Sequence, residues 1–440
     1  MKIMKFGGTS VGKPERMHQV KDLILRDREK KIVVLSALSG TTNALVSIGD
    51  ALADGKKDEA KEKIDALHEH YQKFHLELLS SKASRSKAAN IIKEHFEFLN
   101  IILKISFNEA INKDILAQGE LLSTKLFYTL LQELDIQAVF LPALEFMSID
   151  ENNEPELRKI KERLEAILAR YPEDTIFITQ GYICKNHRNE VDNLKRGGSD
   201  YTASLIGAAL SASVVEIWTD IDGMHNNDPR IVDQTRPIAH LSFDEAAELA
   251  YFGAKILHPA SIWPAQMHNV PVKLLNTMEP DAPGTTITGQ QEAVGVKAIA
   301  AKDGITAIKI KSSRMLLAYG FLRRVFEIFE KYRTSIDMIT TSEVAISLTI
   351  DDTSHLKEVT AELQRLGKVE VDHNLSIICI VGNGIVEQKG VLKKTMETLE
   401  DFPVRMVSYG GSRHNVSVLV DAKHKNNALK SLNSGLFHFG

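Results

Sequence analysis

Near the start of the chain, Lys5-Phe6-Gly7-Gly8-Thr9-Ser10 sets a glycine pair directly behind a short apolar run that carries one lysine. Glycines there let backbone amides approach an anion closely, and the lysine ammonium offers a point charge to a phosphoryl group in transfer. A tight turn with a solvated lysine would read the same, so the string gains meaning only from its company. In Val34-Leu-Ser36-Ala-Leu-Ser39-Gly-Thr-Thr42-Asn43 an apolar run opens into hydroxyls and a glycine, which suits carboxylate or phosphate oxygens held at a helix start, or a plain N-cap. Gln118-Gly119-Glu120-Leu-Leu-Ser123-Thr124 offers Glu120 to an ammonium group, with an exposed glutamate at a helix start as the alternative.

The richest patch is Lys195-Arg196-Gly197-Gly198-Ser199-Asp200-Tyr201-Thr202, which leads into the small-residue run 203–212. Arg196 can grip a carboxylate bidentately, the glycine pair bares backbone donors, and Asp200 can orient a cation such as Lys5 without attacking anything itself. Of two further strings, the first taken alone is no more than a loop, and the second ends a helix with a lysine that would ordinarily be solvated. Trp218-Thr219-Asp220-Ile-Asp222-Gly223 through Asp228-Pro229-Arg230 brings acids, turn residues and an arginine suited to a ribose and phosphates, and Phe252-Gly-Ala-Lys255-Ile-Leu-His258-Pro259 carries a second candidate cation, Lys255. Neither G-x-x-x-x-G-K-[ST] nor a strand followed by G-x-G-x-x-G occurs, so phosphate chemistry here needs another scaffold.

Elements that can position these strings alternate along the chain. Apolar runs at 2–6, 31–38, 137–141, 175–183, 214–219 and 271–275 read as buried parallel strands separated by helical stretches. That rhythm predicts an open, mainly parallel α/β sheet sandwiched by helices, with ligands gathered beyond the carboxyl ends of its strands. Between Lys56 and Gln118 there is neither glycine nor proline, and charges alternate with apolar residues at helical spacing. This predicts a helical insertion over about 52–118 that ends at the Gly119-Glu120 string.

Turn-formers at 277–286 close the first pattern, which places the catalytic domain at 1–290. Over 296–440 the rhythm becomes strand, helix, strand, strand, helix, strand: 305–311, 321–333, 335–341, 344–350, 355–366 and 369–373. A second copy follows at 375–381, 391–402, 404–409, 416–420 and 426–432, a period of roughly 70 residues. It lacks a last strand, which 296–302 could supply. Two small α+β (βαββαβ) modules result, one over about 304–373 and one over about 375–440 plus 296–302.

Bulk properties narrow the classes. The chain has 440 residues, 54 basic and 58 acidic, with the signs interspersed and a net charge of −4, so nucleic acid is not an expected partner. Cys184 and Cys379 are the only cysteines, far apart and without zinc or disulfide spacing, which fits a reducing cytoplasm. No apolar run reaches the roughly 18 residues of a membrane span, and the opening string leaves no room for a leader.

Taken in order, KFGGTSVG, VVLSALSGTTN, GELLST, KRGGSDYTA, WTDIDG with DPR, and FGAKILHP resemble the aspartate kinase family of the amino acid kinase fold, and the tail modules resemble ACT domains. The resemblance spans essentially the whole chain. It implies phosphorylation of the side-chain carboxylate of L-aspartate by ATP with magnesium as helper ion, the first step toward lysine, threonine and methionine. Carried over position by position, Lys5 would stabilise the transferring phosphoryl and Asp200 would orient Lys5. Arg196 would take the α-carboxylate, Glu120 the ammonium, and Ser36, Thr42 and Ser199 the remaining substrate oxygens. Lys5, Gly7, Gly8, Thr9, Thr219, Asp220, Arg230 and Lys255 would face the nucleotide. His225 stands where the family often has tyrosine and would present a smaller, titratable ring to the adenine. No dedicated protein metal site is implied.

The strings around Met315, Ala318, Gly320, Phe321 and Leu322, and around Ser335, Ile336, Asp337, Thr341, Ser342 and Glu343, resemble the lysine-responsive branch more than the threonine-responsive one. They imply feedback inhibition by lysine. Asp337 and Glu343 would oppose its ammonium groups across a homodimer of paired modules, and a further pairing of dimers stays open. Against this stand another amino acid kinase, such as one acting on glutamate, and a catalytically silent amino acid sensor. The GELLST and RGGSDYTA strings favour aspartate, and intact Lys5, Arg196 and Asp200 count against silence.

Overall fold

The computed structural model describes the chain except residues 195–196, 254–256, 291–293, 313–314, 316–318 and 438–440. Arg196, Lys255 and Ala318 therefore lie outside the described residues. The chain divides into two compact units, each assembled from separated segments. The first comprises Met1–Met224, Ala239–Phe243 and Ile256–Gly289, and the second His225–Ile238, Asp244–Lys255 and Gln290–Gly440.

The first unit contains β1 (Lys2–Phe6), β2 (Lys31–Leu35), β3 (Val139–Phe140), β4 (Ile176–Gln180), β5 (Ile183–Lys185), β6 (Val191–Asn193), β7 (Val214–Thr219), β8 (His240–Ser242), β9 (Val272–Asn276) and β10 (Thr285–Thr288). Eight of them form one sheet in the order β3-β4-β2-β1-β7-β9-β10-β8, and β5 pairs with β6 as a separate hairpin. From β3 through β9 neighbours run parallel, and only β10 meets β9 antiparallel. The sequence pattern did not point to β8 and β10, which are three and four residues long and too short to show a period. Strands β1, β2 and β4 are buried almost throughout because helices cover both faces, and this explains why they read as continuous apolar runs rather than alternating ones.

Register sets the working edge of the sheet. Phe6 pairs with Leu35 and Trp218, and Leu35 with Gln180. The loops beginning at Gly7, Ser36, Gly181 and Asp220 therefore leave the sheet side by side. The expected insertion is a set of helices, Thr41–Ala53, Lys57–Leu78, Lys82–Ile102 and Glu109–Glu133. Their apolar faces join one core with Met4, Phe6, Val33, Leu35 and Ile178. The last of these helices does not stop at Gly119. It runs on to Glu133, so Glu120 lies mid-helix and buried.

The second unit contains β11 (Gly295–Lys311), β12 (Ile339–Thr341), β13 (Ala345–Ile350), β14 (Lys368–Asn383), β15 (Met406–Tyr409) and β16 (Asn415–Asp421), joined in one sheet in the order β12-β13-β11-β14-β16-β15. Sequence reading separates 369–373 from 375–381, but both belong to β14, which passes through Asn374 at φ 57°. Asparagine tolerates that left-handed conformation, so the pairing continues past it. Residues 295–302 of β11 lie along 375–383, and 305–311 lie along 368–375, with a register shift between Lys302 and Ile305. Two apolar clusters result. One gathers Ile308, Phe321, Val325, Ile346 and Val359, the other Ile378, Ile380, Val416, Val418 and Leu429.

Candidate active site

Lys5, on the penultimate position of β1, is mostly buried, and its ammonium lies 2.7 Å from Asp200 Oδ1. Asp200 stands in the first turn of the helix Gly198–Leu210, where an acidic residue meets the positive end of the helix dipole. The two are far apart in sequence and meet because β1 lies beside β7 with that helix packed over them. Gly7 makes room for the pair, since a Cβ there would stand 3.3 Å from Lys5 Nζ. Its amide donates to the Trp218 carbonyl at 3.2 Å, so Gly7 contributes space and a tie to β7.

A cleft of about 590 Å³ opens at this edge, lined by Lys5, Gly8, Ser36, Ala37, Ser39, Thr42, Asn43, Glu120, Tyr182, Gly197, Gly198, Ser199 and Asp200 among others. Every described residue expected to touch an amino acid substrate is therefore in one place: Ser36, Thr42, Glu120 and Ser199, together with Lys5 and Asp200. Thr42 is exposed toward the cleft, whereas its neighbour Thr41 is buried with its hydroxyl 3.1 Å from that of Tyr71.

Glu120 is the most unusual group in the cleft. One carboxylate oxygen accepts the Ala37 amide at 3.2 Å, and the other is buried with no hydrogen-bond partner among the described residues. Burial pushes its pKa up to about 8, against smaller opposing effects of backbone hydrogen bonds. Gly119 explains how the helix comes so close: a Cβ there would lie 2.8 Å from the Ala37 side chain. Ser123 Oγ donates to the Ser36 carbonyl at 2.7 Å and pins the helix to the same loop. A glycine that reads as a helix end is thus a contact surface within a helix.

Tyr182 is a lining residue that sequence reasoning missed. It follows β4 at φ 67°, a rare conformation for an aromatic residue, and its amide donates to Thr202 Oγ1 at 3.0 Å. Burial, with Glu120 nearby, raises its hydroxyl to about 12, so it stays a neutral donor. The Gly181 that precedes it was the only local signal.

The residues expected to face a nucleotide are less gathered. Gly8 lines the cleft, Thr9 belongs to the short helix Gly8–Val11, and Thr219 and Asp220 end the neighbouring β7, with Thr219 Oγ1 donating to Asp220 at 3.2 Å. His225 and Arg230 belong to the second unit. There, His225 Nδ1 lies 3.2 Å from Thr235 Oγ1, and the exposed Arg230 fork is held by Asp228 through contacts of 2.9 and 2.7 Å. Among the described residues no group of three histidine, cysteine or acidic side chains could hold a metal ion, and no helix is long and apolar enough to cross a membrane.

The residues expected to meet an effector lie in the second unit. Gly320, at φ 77°, caps the helix Phe321–Lys331, in which Phe321 is buried and Leu322 exposed, and Met315 packs on the same core. Ser335, Ile336 and Asp337 precede β12, and Thr341, Ser342 and Glu343 form its far end and the turn into β13.

The amino acid kinase family pattern matches residues 1–276, and an ACT domain pattern matches 378–436. The chain is 36% identical to the lysine-sensitive aspartokinase 3 of Escherichia coli over 99% of both chains. It is 35% identical to the chloroplastic aspartokinase 3 of Arabidopsis thaliana over 99% of this chain and 81% of that one. Among solved structures it is similar to E. coli aspartokinase III in complex with aspartate and ADP, in its R-state, with a TM-score of 0.86 and 35% identity over all of both chains. The T-state of that enzyme, in complex with lysine and aspartate, gives 0.83.

Proposed function

The chain belongs to the amino acid kinase family, among its aspartokinases, and we propose that the cleft at the carboxyl ends of β1, β2 and β4 carries out the aspartokinase reaction through the residues gathered there. ATP and L-aspartate give ADP and 4-phospho-L-aspartate. An oxygen of the substrate's side-chain carboxylate forms the new bond to the γ-phosphorus as the bond to the β,γ-bridging oxygen breaks, and the electron pair leaves on ADP. The attacking carboxylate is already ionised, so positioning and charge neutralisation are what the protein must supply. The pairing of Lys5 with Asp200 carries this assignment: a cation fixed at 2.7 Å by its own carboxylate has its position set before the phosphoryl arrives.

In this reading Lys5 meets the charge in flight, and Asp200 orients it. Glu120 takes the substrate ammonium on its unpartnered oxygen, Ser36, Thr42 and Ser199 hold substrate oxygens, and Arg196 takes the α-carboxylate. Gly7, Gly8, Thr9, Thr219, Asp220, His225, Arg230 and Lys255 serve the nucleotide. Magnesium, bound with the nucleotide's phosphates, would supply charge neutralisation there. The E. coli relative is lysine-sensitive and has been solved with lysine and aspartate, which supports lysine as the feedback effector at the ACT-type region. Asp337 precedes β12 and Glu343 lies in the turn that follows it. A lysine held between carboxylates of two copies of this segment would pair the chains through these modules, and a homodimer of that kind is part of the proposal.

The deciding experiment measures ADP release with aspartate, with glutamate and with neither, each repeated with lysine or threonine. Aspartate-dependent turnover suppressed by lysine is expected. Equal turnover with glutamate would sink the substrate assignment, and suppression by threonine alone the effector.

A further inference from the structure

In the second unit, Lys302 lies immediately before the register shift in β11, where a bulge re-aims side chains. Its ammonium is 2.8 Å from Asp337 Oδ1 and 2.9 Å from Asp351 Oδ2, and it lies 4.4 Å from the centre of the Tyr251 ring. The Tyr251 hydroxyl donates to the same Asp337 oxygen at 2.8 Å. The Asp337 side chain is fully buried, and its other oxygen, Oδ2, has no hydrogen-bond partner among the described residues. Backbone bonds lock the segment: the Asp337 amide donates to the Thr349 carbonyl and the Met338 amide to Thr349 Oγ1, each at 2.9 Å. Although burial pulls Lys302 toward neutrality, its hydrogen bonds to Asp337 and Asp351 hold its pKa above the ordinary lysine value.

Asp337 is the carboxylate assigned above to the effector's ammonium, and the structure shows it already paired with a lysine of its own chain. We propose that Lys302 is a built-in competitor for the effector: free lysine binds by taking over Asp337, and Lys302 shifts onto Asp351. The inference rests on the reading of Asp337 as an effector ligand. An incoming ammonium at Oδ2 and Lys302 at Oδ1 would be like charges on the two oxygens of one carboxylate, roughly 5 Å apart, and they repel. Asp351 is the acceptor for the displaced cation, being within hydrogen-bond distance already and 40% exposed, so the exchange leaves no charge unpaired. Tyr251 would change surroundings in the same event. It ends the helix Phe243–Tyr251, so that helix terminus would feel the exchange.

The test is equilibrium binding of lysine to the full-length chain by calorimetry, alongside lysine inhibition of ADP release. Lys302→Met keeps the apolar stem and removes the ammonium. It should tighten lysine binding about tenfold or more, the scale of one charge-assisted contact, with turnover in the absence of lysine unchanged. Lys302→Arg should stay near the unsubstituted chain. Asp351→Asn changes a partly exposed residue and removes the acceptor for the displaced cation, so it should weaken binding by about threefold. Opposite signs for the two variants support the exchange. Weaker or unchanged binding in Lys302→Met overturns it, as does tighter binding in Asp351→Asn, and the latter variant decides the matter if Lys302→Met fails to fold. Absence of lysine binding to the unsubstituted chain, or full binding in Asp337→Asn, removes the effector reading itself.

Discussion

Glu120 in the first unit and Asp337 in the second are both buried carboxylates with one oxygen satisfied and one left without a partner among the described residues. They differ in what stands beside them. Glu120 has a backbone amide and, among the described residues, no cation within its contacts, so burial favours its protonated form. Asp337 has Lys302 and the Tyr251 hydroxyl on one oxygen. On the function proposed above, the first is a site that a substrate ammonium would complete, and the second a site where an effector ammonium would have to compete. The same residue chemistry would then serve as a receptor in one place and as a switch in the other, according to whether the chain brings its own cation.

The Lys5–Asp200 pair sharpens that comparison, because there the chain supplies both the cation and the carboxylate, and both line the cleft. Lys5→Ala should produce the largest effect of all. Turnover should fall by at least about a hundredfold, the scale of one preorganised electrostatic contact, with little change in aspartate KM. Unaltered kcat in steady-state assays would return Lys5 to a purely structural role.

For Glu120→Gln the expected loss is in aspartate affinity, about 1.5 to 3 kcal/mol for a contact to a charged group, or about ten- to a hundredfold in KM. Its pH dependence follows from the raised pKa. Glutamate ordinarily releases its proton near 4.5, and buried Glu120 keeps it to about 8, so the native chain carries an extra proton across that window. The stability from the neutral form is full below 4.5 and is lost as pH rises through about 8. Aspartate needs the ionised form, so its affinity should climb with pH up to about 8 and level off above. In Glu120→Gln both the affinity slope and the decline in thermal midpoint should flatten. Identical pH profiles for the two proteins would break the contrast between Glu120 and Asp337.

The smallest expected effect concerns packing. Gly119→Val would press a branched side chain against Ala37, and overpacking of this kind costs about 1 to 3 kcal/mol, read as a lower thermal midpoint. It should also raise aspartate KM by displacing Glu120. A shift in KM without a loss of stability would show that the loop yields and the helix does not.

Much of this was legible in one dimension because it depends on local patterns. Strands buried on both faces leave continuous apolar runs, as at Lys2–Phe6 and Val214–Thr219, and the helices Phe321–Lys331 and Lys425–Leu436 show their own periodicity. Even the completion of the second tail module by 296–302 could be anticipated from a missing strand. Glu120 lines the cleft, but the sequence left an exposed helix-start position open for it, because a glycine beside it looks like a stop until Ala37 is brought against it. Tyr182 left almost no mark, since the conformation that aims it depends on the partners holding its backbone.

What the sequence determines by itself, then, is where the longer strands and helices form and which strings are candidates for phosphate and carboxylate chemistry, because spacing and residue type act over a few neighbours. Tertiary structure alone decided the 2.7 Å closeness of the anticipated Lys5–Asp200 pair, that Glu120 is buried with no cation among the described residues, and that Lys302 reaches Asp337. Those outcomes depend on desolvation and on partners remote along the chain, and both exist only once the sheets have formed.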